Sequence, residues 1–180
     1  MIVLIDTSSL ISLVRYYLPF DKDQILYNFF KDKIESKKIL VLDKVYEECA
    51  RTARGIVLEK LDYLKNKKNI TKTTEVLPSK KFFSQLENQF INGSVKNRLS
   101  DVEFENRKND FLNSADAKLL LFGMSDSSKQ FVIVSEESET NNDNKSFKKL
   151  PAICKILELE IITLPELLKN YQELSLFFDK

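Results

Sequence analysis

The 180-residue sequence has no histidine, no tryptophan, three glycines and two cysteines. Each shortage removes a class of chemistry. Without histidine there is no Ser–His–Asp triad, no Cys–His pair and no imidazole zinc ligand. Acid–base or metal chemistry must therefore rest on carboxylates, Lys, Tyr or Cys. Three scattered glycines cannot form a Walker loop or a GxGxxG turn. Cys49 and Cys154 lie far apart in apolar surroundings and read as reduced core residues, not as a disulfide framework. No long apolar run occurs either. The opening MIVLI stops at Asp6, too short for a signal peptide or a membrane span, so a soluble, cytoplasmic protein without a membrane partner is expected. An excess of one charge is also missing. The 28 basic and 27 acidic residues leave a net charge of +1, so attraction to a polyanion must come from local patches.

What is present fits one folded domain over residues 1–180, with 43% hydrophobic and 31% charged residues. Four short apolar runs, 2–5 (IVLI), 39–42 (ILVL), 131–134 (FVIV) and 160–163 (EIIT), read as buried parallel strands. Helical patterns over roughly 8–18, 23–35, 44–68, 79–92, 98–126, 150–158 and 165–178 separate them. Strands alternating with helices predict an α/β fold with a parallel sheet and right-handed crossovers. Residues 65–112 are less orderly and read as a helical insertion. Residues 60–81 hold seven lysines (60, 65, 67, 68, 72, 80 and 81) against Asp62 and Glu75. They form either a solvated helix face or a nucleic-acid contact.

Ligands of an open parallel sheet bind beyond the carboxyl ends of its strands, so acids at those ends are the candidates. Asp6 directly follows the first strand, where it could equally cap a helix. After the second strand, Asp43 is a natural helix cap. Helical phase then puts Glu48 on a stripe with Val45, Cys49, Thr52, Ala53 and Ile56, and Glu47 on the far side. In NSADAKLLLFG, Ser114 can cap a helix, and Asp116 falls inward with Leu112, Leu119 and Leu120; a helix-dipole contact is its bland explanation. The third apolar strand runs into SEESETNND, offering Glu136, Glu137, Glu139 and Asp143, among which periodicity does not choose. Carboxylates gathered at one sheet end repel and raise one another's pKa. A divalent cation resolves that repulsion, and an all-oxygen site favours Mg²⁺ or Mn²⁺. Phosphodiester cleavage by metal-activated water is the chemistry such a site does best.

The motifs IVLIDTSSLI, VYEEC, SADAKLL and VIVSEE, in this order, resemble the PIN domain family. The stretch NKSFKKLPAICKILELEIITLPELL resembles a largely uncharacterised PIN-like subfamily with an acid-rich loop, a Lys–x–Pro–x–x–Cys helix and a last strand. The resemblance runs from residue 1 to about 168 and is weakest near 70–110. It implies a three-layer α/β/α sandwich and an Mg²⁺- or Mn²⁺-dependent endoribonuclease. It also implies an RNA substrate and kinship with VapC-type toxins, whose partner is an antitoxin protein. Carried over by motif, Asp6, Glu48 and Asp116 match the first three acids, and Ser8 matches a small polar residue that helps hold the site. Ser135 points to Glu137 as the fourth catalytic and metal-binding acid, although the family more often has Asp there and Glu136 stands next to it. Lys145, Lys148 and Lys149 flank that loop as candidate backbone contacts. Tyr16, Tyr17 and Phe20 could stack a base, or else serve as core or homodimer contacts. A haloacid-dehalogenase-type phosphatase requires a second Asp where Ser8 stands, and a receiver domain requires paired acids after its first strand. The main rival is a PIN-like binding module without activity.

Overall fold

The fold was taken from a computed structural model that describes residues 1–126, 128–139, 145–171 and 174. Its centre is a sheet of five parallel strands: β1 (Ile2–Ile5), β2 (Ile39–Leu42), β3 (Ile70–Thr71), β4 (Phe131–Val134) and β5 (Glu160–Ile162). Their order is β3-β2-β1-β4-β5. β1 pairs with β2 through Val3–Ile39 and with β4 through Val3–Val132. Every residue of β2 and β4 is buried, as expected of strands covered by helices on both faces. Completely burying each such Val, Leu or Ile contributes about 1.5–3 kcal/mol. The edge strand β5 is different, with Glu160 exposed and its two isoleucines partly covered. The architecture is the expected α/β sandwich.

The chain adds β2 and β3 on one side of β1, then crosses to add β4 and β5 on the other. The strand order therefore reverses between β1 and β4, and a crevice opens there beyond the carboxyl ends of the strands. The helices that start at that end include α1 (Thr7–Ser12) after β1, α3 (Asp43–Arg51) after β2, and α9 (Leu150–Leu157) in the segment after β4. α2 (Ile25–Glu35) returns the chain to β2, and α10 (Leu164–Lys169) follows β5. Positions 172, 173 and 175–178 of the last helical pattern lie outside the described residues.

Four expected helices are divided, the 79–92 pattern among them, where a π-helical turn at Leu86–Phe90 follows the α-helix Lys80–Gln85. The 8–18 pattern becomes α1, a π-helical turn at Leu13–Tyr17 and a 3₁₀ turn at Leu18–Phe20, with Pro19 inside the last. The 44–68 pattern stops at Arg51. Ala53, Arg54 and Gly55 all take left-handed backbone (φ 51°, 58° and 72°) before α4 (Ile56–Lys60) begins. Only glycine adopts that conformation freely; for Ala53 and Arg54 it costs about 1–2 kcal/mol each. This break leaves Thr52 exposed, so it does not continue the Val45–Cys49 stripe. The 98–126 pattern splits into α7 (Asp101–Leu112) and α8 (Ala115–Gly123). Each starts at its own serine cap, Ser100 and Ser114.

The insertion is mainly helical, with α5 (Lys80–Gln85) and α6 (Gly93–Lys96) before α7. It also contributes β3, a strand that two residues of sequence were too short to announce. The insertion is stitched to the loop before α9. Ile91 bridges Phe147 in antiparallel fashion, Asn92 N–H donates to the Ser146 carbonyl (2.9 Å), and Lys148 N–H donates to the Phe90 carbonyl (2.8 Å). Phe111 of α7 packs on Phe147, with ring centroids 4.6 Å apart.

Candidate active site

Asp6 is the anchor of the crevice. It is buried, and its side chain caps α1 by accepting from the Ser8 N–H. Its Oδ2 accepts from the Ser8 hydroxyl (2.6 Å), the Ser8 N–H (3.3 Å) and the Ser135 hydroxyl (2.9 Å). The ends of β1 and β4 are thus joined through one carboxylate oxygen. The cap that sequence offers as a purely structural explanation is present, but the contact from Ser135, 129 residues away, goes beyond it. Among the described residues no hydrogen bond engages the other oxygen, Oδ1.

Glu48 follows the expected helical phase. It is half-buried on α3, and its Oε2 accepts from the Thr7 hydroxyl (2.8 Å) at the start of α1. Glu47 is exposed and pairs with Lys44 (2.7 Å). Thr7 was not singled out by sequence, because an i+1 threonine after an acid carries no pattern of its own.

Asp116 sits in the first turn of α8, between the buried Ala115 and Ala117. Its carboxyl group is pushed up to about 7, first by burial, then by the charges of Asp6, Glu137 and Glu48; Lys145 opposes the shift. This shift is the clearest sign that the four acids share one electrostatic space. An exposed helix-dipole aspartate would be shifted the other way.

The two neighbouring glutamates after β4 face different surroundings. Glu137 is half-buried, its N–H donates to the Ser135 hydroxyl (3.2 Å), and its Oε2 accepts from the Leu150 N–H (3.3 Å) at the start of α9. Glu136 is exposed. Its Oε1 accepts from the Leu164 N–H (2.6 Å), and its charge, after burial, raises the Tyr17 pKa. Glu137 is thus the one that acts on Asp116. Glu139 is exposed, and Asp143 lies outside the described residues.

A common design emerges. In Asp6, Glu48 and Glu137, one carboxylate oxygen is held by a hydroxyl or an N–H, which orients the group and leaves its second oxygen without a protein donor among the described residues. Among the described residues, neither oxygen of Asp116 is engaged in a hydrogen bond. All-oxygen donors with uncompensated mutual repulsion fit a hard divalent cation such as Mg²⁺ or Mn²⁺. Among the described residues no three carboxylates close into a ready ligand cluster, so water would have to complete any coordination shell.

The cysteines flank the crevice without joining its chemistry. Both are buried, and burial pushes each thiol up to about 12, helped for Cys154 by the charges of Asp116 and Asp6. Neither is a thiolate nucleophile at neutral pH.

Asp116 and Glu137 line a cleft of about 430 Å³ whose lining also includes Arg107, Lys145, Lys148 and Lys149. The three lysines belong to the loop that sequence marks as flanking the fourth acid. Arg107 comes from the insertion and was missed, because on α7 it reads as one more charge on a solvated face. The 60–81 lysines are dispersed. Lys67 and Lys68 precede β3 at the amino end of the sheet, where the Lys37 ammonium donates to the Lys68 carbonyl, while Lys72 follows β3 at the far edge. Tyr16 and Phe20 are exposed and Tyr17 is partly buried. Among the described residues no helix is long and apolar enough to cross a membrane.

A family model described as a domain of unknown function, DUF4411, matches residues 3–174. The chain belongs to the DUF4411 family. The match spans the whole sheet, the insertion and all four acids, so the DUF4411 unit includes the cleft and its lining. No curated protein matches the sequence.

Proposed function

We propose that this DUF4411 protein is a PIN-like endoribonuclease that uses Mg²⁺ or Mn²⁺ to hydrolyse RNA phosphodiesters. One observation carries the reading: the carboxyl of Asp116 is pushed up, first by burial and then by the charges of Asp6, Glu137 and Glu48, at the point where the strand order reverses. Proteins that keep four acids in such proximity need a counter-charge, and a bound divalent cation supplies it while lowering the pKa of a coordinated water and screening the phosphate. Asp6 and Asp116 are the principal ligands in this reading, with Glu48 and Glu137 completing the site directly or through water. Ser8, Ser135 and Thr7 orient the carboxylates through their hydroxyls. The basic residues that line the same cleft draw the polyanion into it.

The rival reading is a binding module of the same fold without activity. That no three of the described carboxylates form a ready metal cluster favours it, whereas the presence of an acid at all four positions favours an enzyme. The purified protein incubated with RNA and Mn²⁺ distinguishes them. Cleavage that leaves 5′-phosphate ends and stops with EDTA is the expected result. Intact RNA at millimolar Mn²⁺, with binding retained, would establish the module instead. Toxin activity with an antitoxin partner is a further part of the proposal, checked by whether a small DNA-binding protein encoded beside this one suppresses the cleavage.

A further inference from the structure

The cations of the insertion are not equivalent. Lys108 is held between Glu87 (2.9 Å) and Glu105 (2.7 Å), and the Lys96 ammonium donates to the Glu87 carbonyl (2.8 Å). Both are consumed in holding the insertion together. Arg107, the neighbour of Lys108, forms no ion pair among the described residues. The nearest acids along its helix do not neutralise it by contact. Glu103, committed to the capping box with Ser100, interacts with the Arg107 charge without pairing with it, and Asp110, one turn on, lines the cleft without a bond to Arg107. Instead the Arg107 guanidinium donates to the hydroxyl of Ser146 (2.6 Å), which uses one of its five N–H donors.

Ser146 is nine-tenths buried and lies in the loop between the fourth acid and α9. Its backbone carbonyl accepts from Asn92, so its position is fixed by the insertion. Its hydroxyl accepts from Arg107, and among the described residues its own proton has no acceptor. A fixed hydroxyl with a spare proton therefore sits beside a guanidinium with spare donors, in the wall of the cleft that also holds Asp116 and Glu137. Such a grouping lacks only an anion with several acceptor oxygens.

We propose that Arg107 and Ser146 form a second phosphate subsite, which grips a backbone phosphate of the bound strand away from the phosphate at the acids. The inference rests on the nuclease reading and extends it: the insertion supplies one wall of the substrate cleft and makes the cleft selective for a strand with more than one phosphate. Arg107 is a positioning residue here and takes no part in the reaction itself.

The test uses the full chain carrying Asp116→Asn, with Mg²⁺ and a fluorescent single-stranded oligoribonucleotide, titrated at several salt concentrations. Adding Arg107→Ala should weaken binding about tenfold and reduce the log–log salt slope by roughly 0.7, the value for one phosphate contact on a single strand. Arg107→Lys should restore the slope without the full affinity, since an ammonium keeps the charge but not the planar fork. Ser146→Ala should weaken binding several-fold with the slope unchanged. A dinucleoside monophosphate, which has one phosphate, should be insensitive to Arg107→Ala. Strand binding with an unchanged slope in Arg107→Ala overturns the subsite and leaves the nuclease reading standing. No strand binding by the Asp116→Asn parent overturns both.

Discussion

The two ends of the sheet both carry clustered charge, and they differ in what the fold does with it. At the amino end, Lys67 and Lys68 stand before β3 and are exposed, and the Lys37 ammonium bonds a backbone carbonyl beside them. Their repulsion is relieved by water at little cost. At the carboxyl end, Asp6, Glu48, Asp116 and Glu137 share a crevice from which water is partly excluded, and Asp116 answers with a carboxyl pushed up to about 7. Charge density alone does not mark a site. Charge that the fold has desolvated and left uncompensated does.

The sharpest way to break this comparison is to remove one acid. Asp6→Asn or Asp116→Asn should reduce metal-dependent RNA cleavage on the order of a hundredfold or more, with circular dichroism unchanged. Full activity in both variants would remove the carboxyl end from the chemistry.

A smaller effect separates neighbours on one helix. Glu48→Gln should lower activity by more than about tenfold, because it loses the charge that faces Asp116. Glu47→Gln, which loses only an exposed pair with Lys44, should change it by less than about twofold. The reverse order would mean that α3 presents its other face to the substrate.

Stability supplies a third test. The folded pKa of Asp116 is raised above its ordinary value of 3.8 to about 7, so the folded metal-free protein holds a proton that the unfolded chain has released. Stability must then fall as pH rises from about 4 to 7 and stay low above that. Asp116→Asn should flatten this fall and raise the metal-free melting temperature at pH 8 by several degrees, at about 2–4 °C per kcal/mol. Mn²⁺ should stabilise wild type by about 2.7 kcal/mol at a hundredfold excess over Kd, and the variant less. A variant that melts lower than wild type without metal would return Asp116 to a structural role at the helix terminus.

The smallest effect is expected at the other end of the sheet. Lys67→Glu with Lys68→Glu should alter RNA affinity by less than about twofold and leave the salt slope intact. A reduced slope would show that the bound strand reaches around the edge at β3.

Much of the fold was legible because its strands are buried on both faces. IVLI, ILVL and FVIV are continuous apolar runs with no competing explanation, and all three are strands with the expected bounds. β3 was not legible, since two residues paired to β2 carry no period. The division of the 44–68 helix was hidden as well: nothing in Thr52-Ala53-Arg54 signals left-handed backbone, and only Gly55 hints at it. At the site, the phase that separates Glu48 from Glu47 is local to one helix and could be read. Periodicity could not separate Glu136 from Glu137, and only the family resemblance pointed to Glu137, because their surroundings depend on which of two distant helix starts, α10 or α9, each side chain meets.

Sequence by itself determined the parallel α/β class, the exclusion of histidine, triad and Gly-loop chemistry, and three acids each tied to a strand end or a capped helix. These follow from composition and from periods shorter than one helix, which act over a few residues. Only the tertiary structure decided that Asp116 is buried within reach of the charges of Asp6, Glu48 and Glu137, and that the insertion brings Arg107 and Ser146 to the cleft lined by Asp116 and Glu137. Those outcomes depend on strand order and on contacts between residues far apart in the chain. Arg107 and Ser146 are 39 positions apart, and Asp6 and Ser135 are 129 apart. No local pattern encodes such distances; the pairing of β1 with β4 brings Asp6 to Ser135, and the packing of the insertion on the loop before α9 brings Arg107 to Ser146.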